Sequence, residues 1–96
     1  MIEYKFKKNL IEIINKYAPD AKIYLFGSRS RKDNKPGSDI DLALDSNIKL
    51  KINILMNIKS DIESTNIPFF VDIVDINNVD DVMKNEILKD GVLWKN

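Results

Sequence analysis

The stretch that most constrains the fold of this chain runs from residue 23 to residue 44. An apolar, β-prone run opens it at Ile23–Phe26, polar and basic residues follow, and apolar alternation returns at residues 39–42 (Asp-Ile-Asp-Leu). Successive side chains of a strand point to opposite faces, so Asp39 and Asp41 share one face. The pattern predicts two strands joined by a long polar loop, with two carboxylates at the start of the second strand.

The paired carboxylates of Asp39 and Asp41 indicate a cation site. Side by side they repel each other, and neither would pack into a core without a partner. A divalent cation makes the pairing favourable, and Mg²⁺ is typically held by one or two carboxylates together with substrate phosphates. The alternative is an acidic helix cap made by Ser38 and Asp39.

The loop between the two strands has the features of a phosphate site. Gly27 permits a positive φ and a close approach of ligand to backbone, and a turn that opens a short helix offers unpaired N–H groups to an anion. Both arginines of the chain, Arg29 and Arg31, lie in this loop, and guanidinium suits bidentate phosphate contacts. We therefore predict that Gly27, Ser28 and the arginines face a phosphate group, with a solvated basic hairpin loop as the alternative.

The remaining residues predict the other elements of an α/β domain. Apolar residues at steps of three and four predict helices over residues 2–17 and 79–87. Residues 48–66 begin with strand-like alternation, but their length favours one helix. Residues 22–26 form the first strand, and residues 92–94 are extended, either as an edge strand or against the first helix.

Residues 69–76 (Phe-Phe-Val-Asp-Ile-Val-Asp-Ile) form an almost unbroken apolar run, which predicts a buried central strand. Asp72 within this run is costly unless it is paired, hydrogen-bonded or bound to metal, and an Asp at a strand edge facing water is the alternative. The preceding helix would return the chain so that this strand runs parallel to the second. Asp72 would then lie beside Asp39 and Asp41.

Composition limits the chemistry and the location. The 96 residues bound the chain to one domain, residues 1–96, with no Cys, no His and a net charge of zero. Catalysis must therefore rest on carboxylates, Ser, Lys, Tyr or a metal, and the charge balance argues against direct nucleic-acid binding. The apolar runs are too short to span a membrane and no signal-peptide core opens the chain, so we expect a cytoplasmic protein.

The motif from Gly27 to Asp41, Gly-Ser followed after nine residues by Ser-Asp-Ile-Asp, resembles the signature of the DNA polymerase β-type nucleotidyltransferase superfamily. More narrowly, it resembles the minimal nucleotidyltransferases, the MntA-type antitoxins that are paired with HEPN-domain toxins. The resemblance covers essentially the whole chain and implies an α/β fold in which helices flank a small mixed sheet, like the polymerase β palm. The chain departs from the pattern at Lys32, where family members usually have Gly.

The resemblance also implies an activity and its residues. Asp39 and Asp41 would hold two Mg²⁺ ions, and Asp72 would hold the ion that activates the acceptor hydroxyl, whereas Asp75 falls outside the site. AMP would pass from ATP to a tyrosine hydroxyl of the HEPN toxin, bound as a hetero-oligomer. The implied nucleotide-binding residues are Gly27, Ser28, Arg29, Arg31 and Ser38.

Size bears on the acceptor. Larger members of the superfamily carry a further domain that binds the acceptor, and these 96 residues leave no room for one, so we expect the acceptor to be a separate protein. Two alternatives stay open: a non-catalytic antitoxin that neutralises its partner by contact, and a small-molecule adenylyltransferase subunit.

Overall fold

A computed structural model of the protein describes residues 4–27 and 39–96. The elements in chain order are α1 (Tyr4–Tyr17), β1 (Lys22–Phe26), β2 (Ile40–Asp45), α2 (Ile52–Glu63), β3 (Val71–Asp75), a 3₁₀ turn (Ile76–Asn78), α3 (Asp81–Asp90) and β4 (Val92–Lys95). Within these two ranges, no helix combines the length and the apolar character that crossing a membrane requires.

The four strands form one mixed sheet in the order β3-β2-β1-β4. β1 is antiparallel to both β2 and β4. β2 and β3 are parallel, because α2 carries the chain back to the end of the sheet at which β2 begins. The predicted α/β fold with a small mixed sheet is confirmed, and so are the parallel pairing of the second and third strands and the edge strand near the C-terminus.

The prediction that residues 69–76 form a central strand is wrong. β3 is shorter and lies at the edge of the sheet, where β2 is its strand neighbour. The run is apolar because both faces of β3 are covered: Ile73 is buried in the core on one face, and Val74 packs against a second cluster on the other. An apolar strand therefore indicates two covered faces and does not require two neighbouring strands.

The helices lie on both faces of the sheet. Leu10 and Ile14 of α1 and Ile58 and Ile62 of α2 are buried in one cluster with alternate residues of the strands. On the other face, Ile87 of α3 packs with a smaller group from the sheet and the 3₁₀ turn. The larger cluster takes Ile23, Leu25, Ile40, Leu42, Leu44 and Ile73 from the sheet, and the smaller takes Ala43 and Ile76 with Tyr24, Phe26, Val74 and Met83 around them.

The segment after β2 makes α2 start later than its sequence predicts. Asn47 adopts a positive φ of 67°, and the backbone N–H of Leu50 donates to the Asp75 carboxylate at 2.7 Å. These two features hold residues 48–51 out of the helix, which begins at Ile52. The strand-like alternation at the start of this stretch therefore marked a non-helical segment.

The Asp45 carboxylate closes the turn that contains Asn47. Burial alone would raise the pKa of Asp45, but hydrogen bonds from the Asn47 N–H (2.9 Å) and the Asn77 side chain (3.0 Å) lower it. The positive charges of Lys22 and Lys84 act in the same direction, so the pKa of Asp45 lies below its ordinary value.

Specific hydrogen bonds define the two ends of α3. Asp80 precedes the helix and accepts a hydrogen bond from the Met83 N–H at 2.8 Å, as expected for an acidic N-cap. At the other end, the Gly91 N–H donates to the Ile87 carbonyl at 2.8 Å. Gly91 has an ordinary negative φ. Glycine is needed there because a Cβ would overlap the Ile87 carbonyl oxygen.

Candidate active site

Three strand ends meet at one end of the sheet. Gly27 directly follows β1, and Asp41 and Asp72 are the second residues of β2 and β3. Phe26 lies opposite Asp41 across the antiparallel pair, and Asp41 lies opposite Asp72 across the parallel pair. Because neighbouring strands are about 4.8 Å apart, the side chains of Asp41 and Asp72 stand next to each other on one face. That face is the one that α3 covers, since Ala43 shares it with Asp41.

A main-chain hydrogen bond fixes the start of β2 against the start of β3. The Ile40 N–H donates to the Phe70 carbonyl at 2.9 Å. Ile40 itself is fully buried in the core, so the carboxylates on either side of it in sequence are held on a rigid strand end. Asp39, immediately before β2, is exposed, whereas Asp41 and Asp72 are half-buried.

Gly27 and the Asp41 carboxylate are in close contact. Gly27 has a φ of +75°, a conformation that favours glycine because it has no Cβ. A Cβ at this position would lie 2.6 Å from Asp41 Oδ2 and 3.4 Å from Asp41 Cγ. Glycine is therefore required twice, by its own backbone and by its neighbour. A ligand group at the Gly27 backbone would also lie next to the Asp41 carboxylate.

The carboxylates at this end of the sheet repel one another. Burial raises the pKa of Asp41, and the negative charges of Asp72 and then Asp39 raise it further. Asp41 is therefore within electrostatic range of both Asp72 and Asp39. A cation between them would remove this cost.

The donor chemistry of the three carboxylates fits Mg²⁺, which prefers oxygen ligands. In the described part of the chain, however, no group of three Asp, Glu, His or Cys side chains is arranged to hold a metal ion. The pair Asp41 and Asp72 lies side by side, and Asp39 faces solvent. The roles of Asp39, Asp41 and Asp72 as metal ligands stay predictions.

A cavity of about 440 Å³ adjoins Gly27. Its wall is formed by the end of β1 (Phe26 and Gly27) and by α3, including Met83, Glu86 and Lys89. This volume falls within the range of roughly 300–1,000 Å³ that small-molecule sites occupy. The sequence does not predict a contribution from α3, because an amphipathic helix of ordinary composition carries no motif that distinguishes a cavity wall from an ordinary surface.

Asp75, the other carboxylate of β3, has a structural role. It is only 4% exposed, and its two oxygens accept hydrogen bonds from the backbone N–H groups of Leu50 (2.7 Å) and Asn77 (2.9 Å). Because it is three residues from Asp72, its side chain points to the opposite face of the strand. Its hydrogen bonds therefore connect the segment before α2 to the end of β3.

Four of the predicted nucleotide-binding residues lie outside the described residues. They are Ser28, Arg29, Arg31 and Ser38, and Lys32 lies in the same range. Their proposed contacts stay predictions, whereas Gly27, at the edge of the described part, has a defined position beside Asp41.

A small mixed sheet that carries Asp41 and Asp72 on adjacent strand starts, beside a glycine with positive φ, defines a nucleotidyltransferase-type domain. The chain belongs to the family described as "Polymerase beta, Nucleotidyltransferase", whose model matches residues 8–95. A search of curated proteins finds no match.

Several solved structures share this fold. One is a toxin–antitoxin with AMP-PNP, with a TM-score of 0.77 and 25% identity over 92% of this chain and 71% of that chain. Another is the tri-AMPylated Shewanella oneidensis HEPN toxin in complex with MNT antitoxin, with a TM-score of 0.70 and 24% identity over 92% of this chain and 67% of that chain. A third is the toxin–antitoxin MntA–HepT, with a TM-score of 0.73 and 22% identity over 96% of this chain and 71% of that chain.

Proposed function

We propose that this protein is the antitoxin of a toxin–antitoxin pair and that it transfers AMP from ATP to a tyrosine hydroxyl of a HEPN-domain toxin. The observation that carries the proposal is the juxtaposition of Asp41, Asp72 and Gly27 at one sheet end. The family match supports nucleotidyl transfer as the reaction. The structural relatives that contain AMP-PNP and an AMPylated HEPN toxin support the nucleotide and the acceptor.

The nucleotide would be bound by the residues that follow β1 and by the cavity beside them. Gly27 and Ser28, with Arg29 and Arg31, would bind the triphosphate through backbone N–H groups and guanidinium contacts. Ser38 would contribute to the same binding from the other end of the loop. The cavity between Gly27 and α3 would receive the remainder of the nucleotide.

Asp39, Asp41 and Asp72 would hold Mg²⁺, as two ions on the pattern of the superfamily. Bound Mg²⁺ would supply charge neutralisation at the triphosphate. Burial, and then the charges of Asp72 and Asp39, raise the pKa of Asp41. This supports the role, because a cation would turn an unfavourable cluster into a favourable one.

The transfer forms one bond and breaks another. The tyrosine oxygen bonds to the α-phosphorus, the bond from the α-phosphorus to the bridging oxygen breaks, and pyrophosphate leaves. The phenolic proton passes to a carboxylate or to water, since the chain has no His. Positioning and charge neutralisation are sufficient for this kind of catalysis.

Attached AMP would inactivate the toxin by charge and bulk. A HEPN toxin that cleaves RNA must bind a polyanion, and an added nucleotide phosphate at its site would repel that polyanion. The pair would act in the cytoplasm, where ATP is available, and would form a hetero-oligomer during transfer.

A contact-only antitoxin is the second candidate function. It is favoured by a row of exposed apolar side chains on and before α2, since Ile48, Ile52 and Met56 are 71%, 72% and 62% exposed. Such a row suits a protein–protein interface. In this case the carboxylates would not be needed for neutralisation.

Intact mass spectrometry separates the two candidates. A HEPN toxin is incubated with Mg-ATP and either the wild-type protein or the Asp39→Asn variant, and both chains are weighed. A mass gain of whole AMP units on the toxin with the wild type alone is the expected result. If the wild type and the variant both neutralise the toxin and the toxin gains no mass, the transferase hypothesis is refuted and the contact-only antitoxin remains.

A further inference from the structure

A second, smaller cavity lies at the outer edge of β3. It has a volume of about 190 Å³, and its wall is formed by the C-terminal half of α2, including Lys59 and Ile62, and by the residues Phe70, Val71 and Asp72 at the start of β3. Asp72 thus borders this cavity and also stands beside Asp41. The two cavities flank the carboxylates, one at Gly27 and the other at the edge of the sheet.

Phe70 has an exposed aromatic side chain on a backbone that is hydrogen-bonded to β2. Its side chain is 67% exposed, but its carbonyl accepts the hydrogen bond from the Ile40 N–H at 2.9 Å. The adjacent Phe69 is half-buried and packs edge-to-face on Phe6, with ring centroids 6.0 Å apart. The chain therefore buries one phenylalanine and leaves its neighbour in solvent, two residues before Asp72.

The order of the strands determines the side from which an acceptor can approach. Nucleotidyl transfer places the attacking oxygen and the leaving oxygen roughly in line across the phosphorus. Under the proposed function, the leaving phosphates lie at Gly27, at the end of β1. The attacking hydroxyl must then come from the opposite side of Asp41, which is the side of Asp72 and the outer edge of β3.

We propose that Phe70 and the cavity beside Asp72 form the acceptor subsite, in which the Phe70 ring packs against the aromatic ring of the tyrosine that receives AMP. The inference rests on the proposed function and names the residue that recognises the acceptor. Aromatic rings pair favourably in offset or edge-to-face arrangements. A tyrosine held in this way would place its hydroxyl toward Asp72, whose carboxylate accepts hydrogen bonds.

The charges around the cavity fit a neutral aromatic acceptor. Lys59 and Glu63 on α2 contribute one charge of each sign to its wall, and Asp72 adds a second negative charge, so the site does not attract a phosphate or a polyanion. Ile62, Ile67 and Val71 supply apolar surface for a ring. A tyrosine side chain combines the ring and the hydroxyl that this wall and Asp72 would contact.

The test measures acceptor and nucleotide binding separately. Steady-state AMP transfer to a HEPN toxin gives kcat and the KM for the toxin, and calorimetry gives the affinity for AMP-PNP. We expect Phe70→Ala to raise the KM for the toxin by about tenfold or more with unchanged AMP-PNP affinity, and Phe70→Trp to restore a low KM. Val82→Ala, which shortens an apolar side chain of similar exposure (71%) on α3, should behave like the wild type.

Each other outcome overturns a specific part of the reasoning. A wild-type KM in Phe70→Ala would show that the ring does not contact the acceptor. A loss of AMP-PNP affinity in the same variant would place Phe70 in the nucleotide site and refute the subsite. If the wild type itself transfers no AMP, the proposed function fails first, and the acceptor subsite fails with it.

Discussion

Two aspartates of β3, Asp72 and Asp75, should respond in opposite ways when each is replaced by asparagine. The Asp75 carboxylate is buried and accepts backbone hydrogen bonds at both oxygens, from Leu50 at 2.7 Å and from Asn77 at 2.9 Å. Asparagine keeps one acceptor oxygen but places an NH₂ group against the other N–H. One buried backbone donor therefore loses its partner.

The cost of the Asp75→Asn change follows from that lost partner. An unsatisfied buried donor costs about 1–3 kcal/mol, against a total stability of about 5–15 kcal/mol for a typical domain. For a domain of up to about 100 residues, 1 kcal/mol lowers Tm by roughly 4–8 °C. We therefore expect Asp75→Asn to lower Tm by about 10 °C.

The Asp72→Asn change should leave the fold intact or slightly stabilise it. Asp72 lies beside Asp41, and its charge is the second cause, after burial, of the raised pKa of Asp41. Removing that charge relieves repulsion in the apo protein. AMP transfer should nevertheless be lost, because Asp72 is a proposed metal ligand next to the acceptor.

The assay compares both variants with the wild type in thermal and urea unfolding followed by circular dichroism, and in AMP transfer followed by intact mass. If Asp75→Asn still transfers AMP at a low temperature at which it is folded, the substitution lowers the stability of the protein and does not remove a catalytic group. The reasoning is refuted if Asp75→Asn unfolds at the wild-type urea concentration, or if Asp72→Asn is the less stable of the two.

Three other changes test single features of the structure. Gly27→Ala should abolish AMP transfer because its Cβ would lie 2.6 Å from Asp41 Oδ2. Gly91→Ala, the control, should lower Tm but leave some transfer. Equal activity of Gly27→Ala and the wild type would contradict the close contact between Gly27 and Asp41. Asn47→Ala should cost about 1–2 kcal/mol because φ is positive at this residue, and Asn47→Gly should cost less; the urea midpoints decide. The lowered pKa of Asp45 contributes stability that is present above its ordinary value of 3.8 and is lost as the pH falls below it. Because this side chain is only half-buried, solvent screens its interactions, and Asp45→Asn should cost less than about 1 kcal/mol at pH 7 and almost nothing at pH 2. A constant difference across the pH range would contradict the assignment.

The sequence predicted the sheet well because its strands carry strong local signals. The alternation around Asp39 and Asp41 predicted a cation site at the start of β2, and α2 between β2 and β3 required parallel pairing. Those two facts were enough to bring Asp72 next to Asp41. Asp75 could be set aside only through the family resemblance, and the structure supplies the physical reason, which is its pair of backbone hydrogen bonds.

The errors came from features that depend on tertiary contacts. The late start of α2 follows from the hydrogen bond between the Leu50 N–H and the Asp75 carboxylate, which joins residues distant in sequence. The contribution of α3 to the wall of the cavity at Gly27 depends on how that helix packs on the sheet. Neither feature leaves a periodic or compositional signal in the residues concerned.

The edge position of β3 changes what Asp72 can do. The apolar run predicted a central strand, and in that position a further strand would pair with β3 and cover its outer side. As an edge strand, β3 pairs with β2, and its outer side carries the cavity that Asp72 and Phe70 line. Under the proposed function, a partner protein would reach Asp72 from outside the sheet, on the side away from a nucleotide at Gly27. For an enzyme whose acceptor is another protein, the edge position of β3 would thus present Asp72 to that acceptor.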